Sequence, residues 1–188
     1  MLHHVSGDIW SFVSTYGAEA LALGIASFPI FFGIFRKNVG RCFYYSILIS
    51  YLYLVASVTL LSREVGQYGD VDLTFFTTGS NISAPLAVHY IENFILLMPL
   101  GFLLPHGIKL FRMAFFGLST GFAVSFLIEC TQHYTAMGTF DLDDIVLNGL
   151  GFAAGYILWR IGNFLFAPTQ DERIVRNRYG VSGRRSHA

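Results

Sequence analysis

The chain has 188 residues, 54% of them hydrophobic and 13% charged, with a mean hydropathy of +0.54. Soluble domains carry about 25% charged residues, so too little polar surface is present to cover a globule in water, and lipid is the expected solvent. The 12 basic and 12 acidic residues cancel, so net charge says nothing about nucleic acid; no nucleic-acid partner is expected of a chain this apolar, and Cys42 and Cys130 alone exclude a disulfide framework or a thiolate zinc cluster.

The stretch from Met1 to Ser14 has no Lys or Arg, and no small-residue cleavage pattern follows it, so a removable signal peptide is not expected. A helix needs about 20 apolar residues to cross the hydrocarbon core. The first stretch that qualifies runs from Val13 to Phe35, with Glu19 near one end and a kink expected at Pro29. The second, Cys42 to Leu61, is uninterrupted. A third, Leu86 to Ile108, contains Glu92, Asn93 and Pro99. Next comes Met113 to Tyr134, polar only near its end at Glu129, Gln132 and His133. The last runs from Ile145 to Phe166, with Arg160 placed to snorkel toward the nearer surface. A backbone in lipid must satisfy its own hydrogen bonds, so these runs are read as helices. The expected fold is an all-α, polytopic transmembrane bundle of five spans.

The basic residues fix an expected orientation. Arg36, Lys37 and Arg41 separate the first two spans, Lys109 and Arg112 separate the third and fourth, and Arg160, Arg173, Arg176, Arg178, Arg184 and Arg185 end the chain. Only Arg63 falls in an alternate connection. The positive-inside rule then places the C-terminus in the cytoplasm and the N-terminus outside, in the plasma (inner) membrane. The tail from Pro168 to Ala188 reads as a disordered basic segment touching anionic lipid. The connection from Ser62 to Pro85, with Leu73, Phe75 and Phe76, reads as a short amphipathic element on the outer face.

In that orientation polar residues from three helices reach one depth. His89, Glu92 and Asn93 lie in the first turns of the third helix and share a face. Ser125, Glu129, Gln132 and His133 lie in the last turns of the fourth, and Asp141, Asp143, Asp144 and Asn148 open the fifth. An intramembrane carboxylate costs about 2.5–3.5 kcal/mol at the bilayer centre and by default marks a function. Plainer readings stand beside the functional one. Asp143 or Asp144 is a candidate cap for the fifth helix. Asn93, Gln132 and Asn148 suit interhelical hydrogen bonding, at about 0.6 kcal/mol each. His89 and His133 suit an interface, and Cys130 suits small-residue packing. Glu129, between Ile128 and Cys130, has no capping role. Gly117 to Gly121 and Gly151 to Gly155 are G-x-x-x-G patterns that permit close packing of helices, within one subunit by default or between copies in a homo-oligomer.

Three segments taken together resemble the VanZ-like family. They are Asn93-Phe94-Ile95-Leu96-Leu97-Met98-Pro99-Leu100-Gly101-Phe102-Leu103-Leu104-Pro105, then Ser125-Phe126-Leu127-Ile128-Glu129-Cys130-Thr131-Gln132, then Phe140-Asp141-Leu142-Asp143-Asp144-Ile145-Val146-Leu147-Asn148-Gly149-Leu150-Gly151. They occur in the family's order and cover residues 86 to 160. One departure is Met137-Gly138-Thr139, where members often carry Gly-Arg, so a basic partner for the acidic loop is missing. The resemblance implies a core of the last four spans, residues 42–166, behind an extra N-terminal helix and basic loop, residues 1–41, with a basic tail at 167–188. It also implies a cell-envelope protein under an antibiotic (teicoplanin) resistance label.

Three functions are open at this stage. The first is binding or handling of membrane lipid, a lipid-linked wall precursor or a lipoglycopeptide through Asn93, Glu129, Gln132, Asp141, Asp143, Asp144 and Asn148. The second is an intramembrane hydrolase or transferase assisted by a divalent cation, with Glu92, Glu129, Asp144, His89 and His133 as metal candidates. No H-E-x-x-H or G-x-S-x-G motif accompanies it. The third is a structural or partner-binding subunit. No half of the chain repeats the other, which disfavours a secondary transporter.

Overall fold

The computed structural model describes residues 2–36, 38–61, 66, 71–73 and 84–166, with side chains described from residue 16 onward. Lys37, Arg63, Phe75, Phe76 and the basic tail lie outside the described residues. The protein is an all-α bundle. Its helices are α1 (Leu2–Ile34), α2 (Val39–Ala56), α3 (Ala84–Leu96), α4 (Met98–Gly107), α5 (Ala114–Tyr134) and α6 (Leu142–Leu165). Together they supply 5 segments long and apolar enough to cross a membrane: Tyr16–Ile34, Val39–Leu61, Pro85–Gly107, Ala114–Tyr134 and Leu142–Leu165. Large apolar side chains stay exposed along them, among them Leu21, Ile25, Ile47, Phe115 and Phe164. That is the outward face a bundle presents when lipid is its solvent.

α6 is the central helix, packed against α3, α4 and α5. Of its span 44% is buried, against 11% for the span in α1, which packs chiefly on α2. α1 continues as α-helix through Pro29. It is tied to α2 by Ser27 Oγ donating to Ser46 Oγ at 3.4 Å and by Tyr53 Oη donating to Glu19. An apolar cleft of about 1050 Å³, lined by Leu21, Ile25, Phe28, Phe43, Ile47 and Leu54 among others, opens between these two helices, and none of its lining residues belongs to the polar cluster.

The third span is broken at Leu97, between α3 and α4. Pro99 has no N–H to give to the Ile95 carbonyl, and its ring disfavours helical geometry in the residue before it. Tyr51 Oη donates to the Leu96 carbonyl beside the break at 2.5 Å. Glycines let α6 press on this broken span. A Cβ at Gly151 would strike the Phe94 carbonyl oxygen, one at Gly155 that of Met98, and one at Gly101 that of Phe152. Gly117 and Gly121 of α5 meet the rings of Tyr156 and Phe152 on α6. Both G-x-x-x-G patterns are therefore used inside one subunit, with Leu97 and Phe152 fully buried at the centre.

The antiparallel course of the spans separates charge. Arg36, Arg41, Lys109, Arg112 and Arg160 all stand at one end of the bundle, where Arg112 donates through Nε and Nη2 to the last carbonyls of α4 at 3.0 and 3.2 Å. At the other end lie the start of α3, the ends of α2 and α5, and the start of α6. We call these the basic end and the acidic end.

Candidate functional site

The acidic end is built by the way α5 stops and α6 starts. α5 closes in a Schellman arrangement: Met137 N–H donates to the Gln132 carbonyl at 2.8 Å, and Ala136 N–H to that of His133 at 3.1 Å. Ala136 holds the left-handed position usually taken by glycine, at φ 54°. The Gly66 N–H, from between α2 and α3, donates to the Ala136 carbonyl at 2.9 Å, so Gly66 lies against this turn. Two short stretches then pair in parallel, β1 (Val71–Asp72) with β2 (Phe140–Asp141). Met137-Gly138-Thr139 brings no cation to the turn.

Asp141, rather than Asp143 or Asp144, caps α6. Its backbone is extended, at φ −119° and ψ 124°, and its Oδ1 accepts from Asp143 N–H at 2.8 Å. The Asp141 N–H donates across the bundle to Glu129 Oε2 at 3.0 Å. In a capping box that N–H would go to the third residue of the helix, here Asp144. Glu129 takes its place, and the Asp144 carboxylate is released toward α3. There it accepts from Asn93 Nδ2, with His89 Nε2 at 2.9 Å from the same oxygen. Asn93 Nδ2 stands 3.2 Å from His89 Nε2. Tyr90 Oη donates to Asp143 Oδ2 at 3.2 Å, and Ser125 Oγ donates to the Asp144 carbonyl at 3.3 Å.

Four carboxylates from α5 and the start of α6 thus gather at this end, two of them on the positive N-terminal turn of α6. Asp143 is 5% exposed, Asp144 6% and Glu129 1%, whereas Asp141 and His89 are half-buried and form the open side. Burial pushes the Asp141 carboxyl above its ordinary value, and the charges of Asp144, Asp143 and Asp72 push it the same way against the lowering effect of the Asp143 N–H. Among the described residues no Lys or Arg stands at this end.

The sequence-derived candidates separate accordingly. Asn93, Asp141, Asp143 and Asp144 come together with His89, and Glu129 sits beneath them holding the Asp141 backbone. Gln132 is buried but turned toward α2, where its Nε2 donates to the Thr59 carbonyl at 2.9 Å. That carbonyl lies in a π-helical turn, Ser57–Leu61, that ends the second span. Asn148 lies one turn beyond Asp144 on the same face of α6 and is 2% exposed. Two buried acceptors, Gln132 Oε1 and Asn148 Oδ1, have no hydrogen-bond partner among the described residues. Glu92 is exposed, and His133 sets its ring near Tyr134 and Phe140. One three-ligand grouping occurs among the described residues: His89, Asp141 and Asp144, whose ligand atoms lie within 4.8 Å of one another. Glu92, Glu129 and His133 fall outside it. Sequence reasoning missed Tyr90, which its spacing of three from Asn93 would have found. It also missed the Thr59 carbonyl, for which a π-turn gives no side-chain signal.

A bundle of apolar spans with buried carboxylates and a carboxamide gathered at one mouth defines a polytopic membrane protein with a polar site near one end. The chain belongs to the VanZ/LLP1 family, whose model matches residues 42–165, from α2 to the end of α6 and without α1. No curated protein matches it, and no solved structure does.

Proposed function

We propose that this VanZ/LLP1 protein binds the polar headgroup of an envelope lipid at the acidic end, with a lipid-linked wall precursor or a lipoglycopeptide of the teicoplanin type as the ligand class. The observation that carries this reading is the position of Asp144, a carboxylate buried between spans and reached through the half-exposed His89 and Asp141. Intramembrane carboxylates are costly, and packing alone would be served by an apolar residue. Hydroxyl and amide groups of a sugar or peptide headgroup are donors, and this mouth is rich in acceptors. The five described basic residues at the other end support a cytoplasmic position for that end by the positive-inside rule. The acidic end then faces outward, where such headgroups lie, and the N-terminus is outside.

The test is equilibrium binding of a fluorescent polyprenyl-pyrophosphate wall precursor to the full chain in nanodiscs. Saturable binding is expected, weakened at least tenfold in Asp144→Asn and in Asn93→Ala, with thermal unfolding close to that of the parent. Binding no stronger than that of an unrelated membrane protein, or unchanged in both variants, overturns the reading.

A further inference from the structure

We infer that His89, Asp141 and Asp144 hold one divalent cation of the Zn²⁺ or Mn²⁺ type, and that this ion carries the phosphate of an anionic headgroup. The partner in this inference rests on the headgroup reading above; the ligand set does not.

Geometry comes first. The imidazole nitrogen and one oxygen of each carboxylate lie within 4.8 Å of one another. Around an ion with ligands at about 2.1 Å, adjacent ligand atoms stand about 3.0 Å apart and opposite ones about 4.2 Å. The three side chains therefore need little movement to share an ion. They come from two helices and the cap between β2 and α6, so the backbone fixes their approach. An imidazole beside two carboxylates suits Zn²⁺ or Mn²⁺ better than the all-oxygen cations Ca²⁺ and Mg²⁺.

A second observation is independent of the ligands. Asn148, 2% exposed and on the α6 face that carries Asp144, has no donor for its Oδ1 among the described residues. Buried acceptors are rarely left so. A water held by the ion is a donor of the kind this oxygen lacks, in the manner of outer-shell groups that orient metal ligands.

Charge supplies the third. A phosphate entering among Glu129, Asp141, Asp143 and Asp144 meets like charge at short range, with no described Lys or Arg at that end to offset it. A bound divalent ion offsets the charge of its two carboxylate ligands and offers an inner-sphere position to a phosphate oxygen. Met137-Gly138-Thr139 brings no basic residue to the turn, which leaves a cation as the direct means of holding such a group here.

Mn²⁺ is the probe for the test. Titration of the purified full chain with MnCl₂, followed by electron paramagnetic resonance of the free ion, is expected to show one saturable site per chain that ZnCl₂ displaces. His89→Gln and Asp141→Asn, the latter retaining a capping oxygen, are expected to weaken it at least tenfold while unfolding at the parent temperature without metal. No saturable Mn²⁺ site in the folded parent, or one unchanged in both variants, overturns the inference. Precursor binding in nanodiscs with and without EDTA separates the two readings. Loss with chelator supports the ion as the phosphate carrier. Binding that ignores chelator yet is lost in Asp144→Asn sinks the cation and leaves the headgroup reading intact. A stoichiometric Mn²⁺ site with no precursor binding does the reverse, sinking the headgroup reading and the phosphate part of this one.

Discussion

Glu129 and Asp144 are both buried carboxylates near the same mouth, yet they serve different ends. Glu129 accepts the Asp141 N–H and so fixes the start of α6, whereas Asp144 faces His89 and Asn93. Glu129→Ala should leave that N–H without its acceptor, at a cost of about 1–3 kcal/mol, and lower the unfolding temperature in detergent. Glu129→Gln retains an acceptor oxygen and should stay within about 1 kcal/mol of the parent. Equal loss in both variants would show that charge, rather than the hydrogen bond, is what the site needs from Glu129. The sequence marks Glu129 as unusual because a carboxylate between Ile128 and Cys130, inside an apolar span, cannot cap its own helix; the part it takes in capping α6 comes only with the fold. Its partner is not readable there, since it depends on the turn at Ala136 and on the pairing of Val71–Asp72 with Phe140–Asp141. The cap was equally hidden: Asp141, Asp143 and Asp144 are the same residue type, and only the extended backbone at Asp141 selects it.

At the scale of elements, glycine spacing decides how near α6 comes to the broken third span. Gly155→Val should force α6 away from the Met98 carbonyl and destabilise the protein by about 1–3 kcal/mol, as overpacking does elsewhere. Gly162→Ala is the matched comparison, because a Cβ there meets nothing within 4 Å. It should be neutral or stabilising by up to about 1 kcal/mol through helix propensity. Thermal unfolding of the two variants side by side checks the contrast, and equal effects would contradict the packing described. The spans themselves were legible, because an apolar run of this length has few alternatives in lipid. Their bounds moved by a few residues: α6 begins at Leu142, ahead of the apolar run, since the capped acidic turn is helical too. The break at Leu97 and the π-turn at Ser57–Leu61 were not legible. Pro99 announces a disturbance without saying where the chain will absorb it, and a π-turn leaves no mark in side-chain periodicity.

For the whole molecule, the separation of charge is the organising feature. Arg36, Arg41, Lys109, Arg112 and Arg160 occupy one end of the bundle, and Glu129, Asp141, Asp143 and Asp144 the other. The family match begins at Cys42, and α1 lies at the periphery on α2, so the site is assembled from the matched portion of the chain. A headgroup site is useful only if its mouth faces the leaflet that holds its ligand. Single cysteines at Thr139, exposed beside the acidic mouth, and at Leu110, 49% exposed at the basic end, report this directly once Cys42 and Cys130 are replaced by alanine. With a membrane-impermeant maleimide on intact cells, Thr139→Cys should label fully and Leu110→Cys only after the cells are broken. Labelling of Leu110→Cys in intact cells, with Thr139→Cys protected, would put the carboxylates in the cytoplasm and contradict an outward-facing headgroup site.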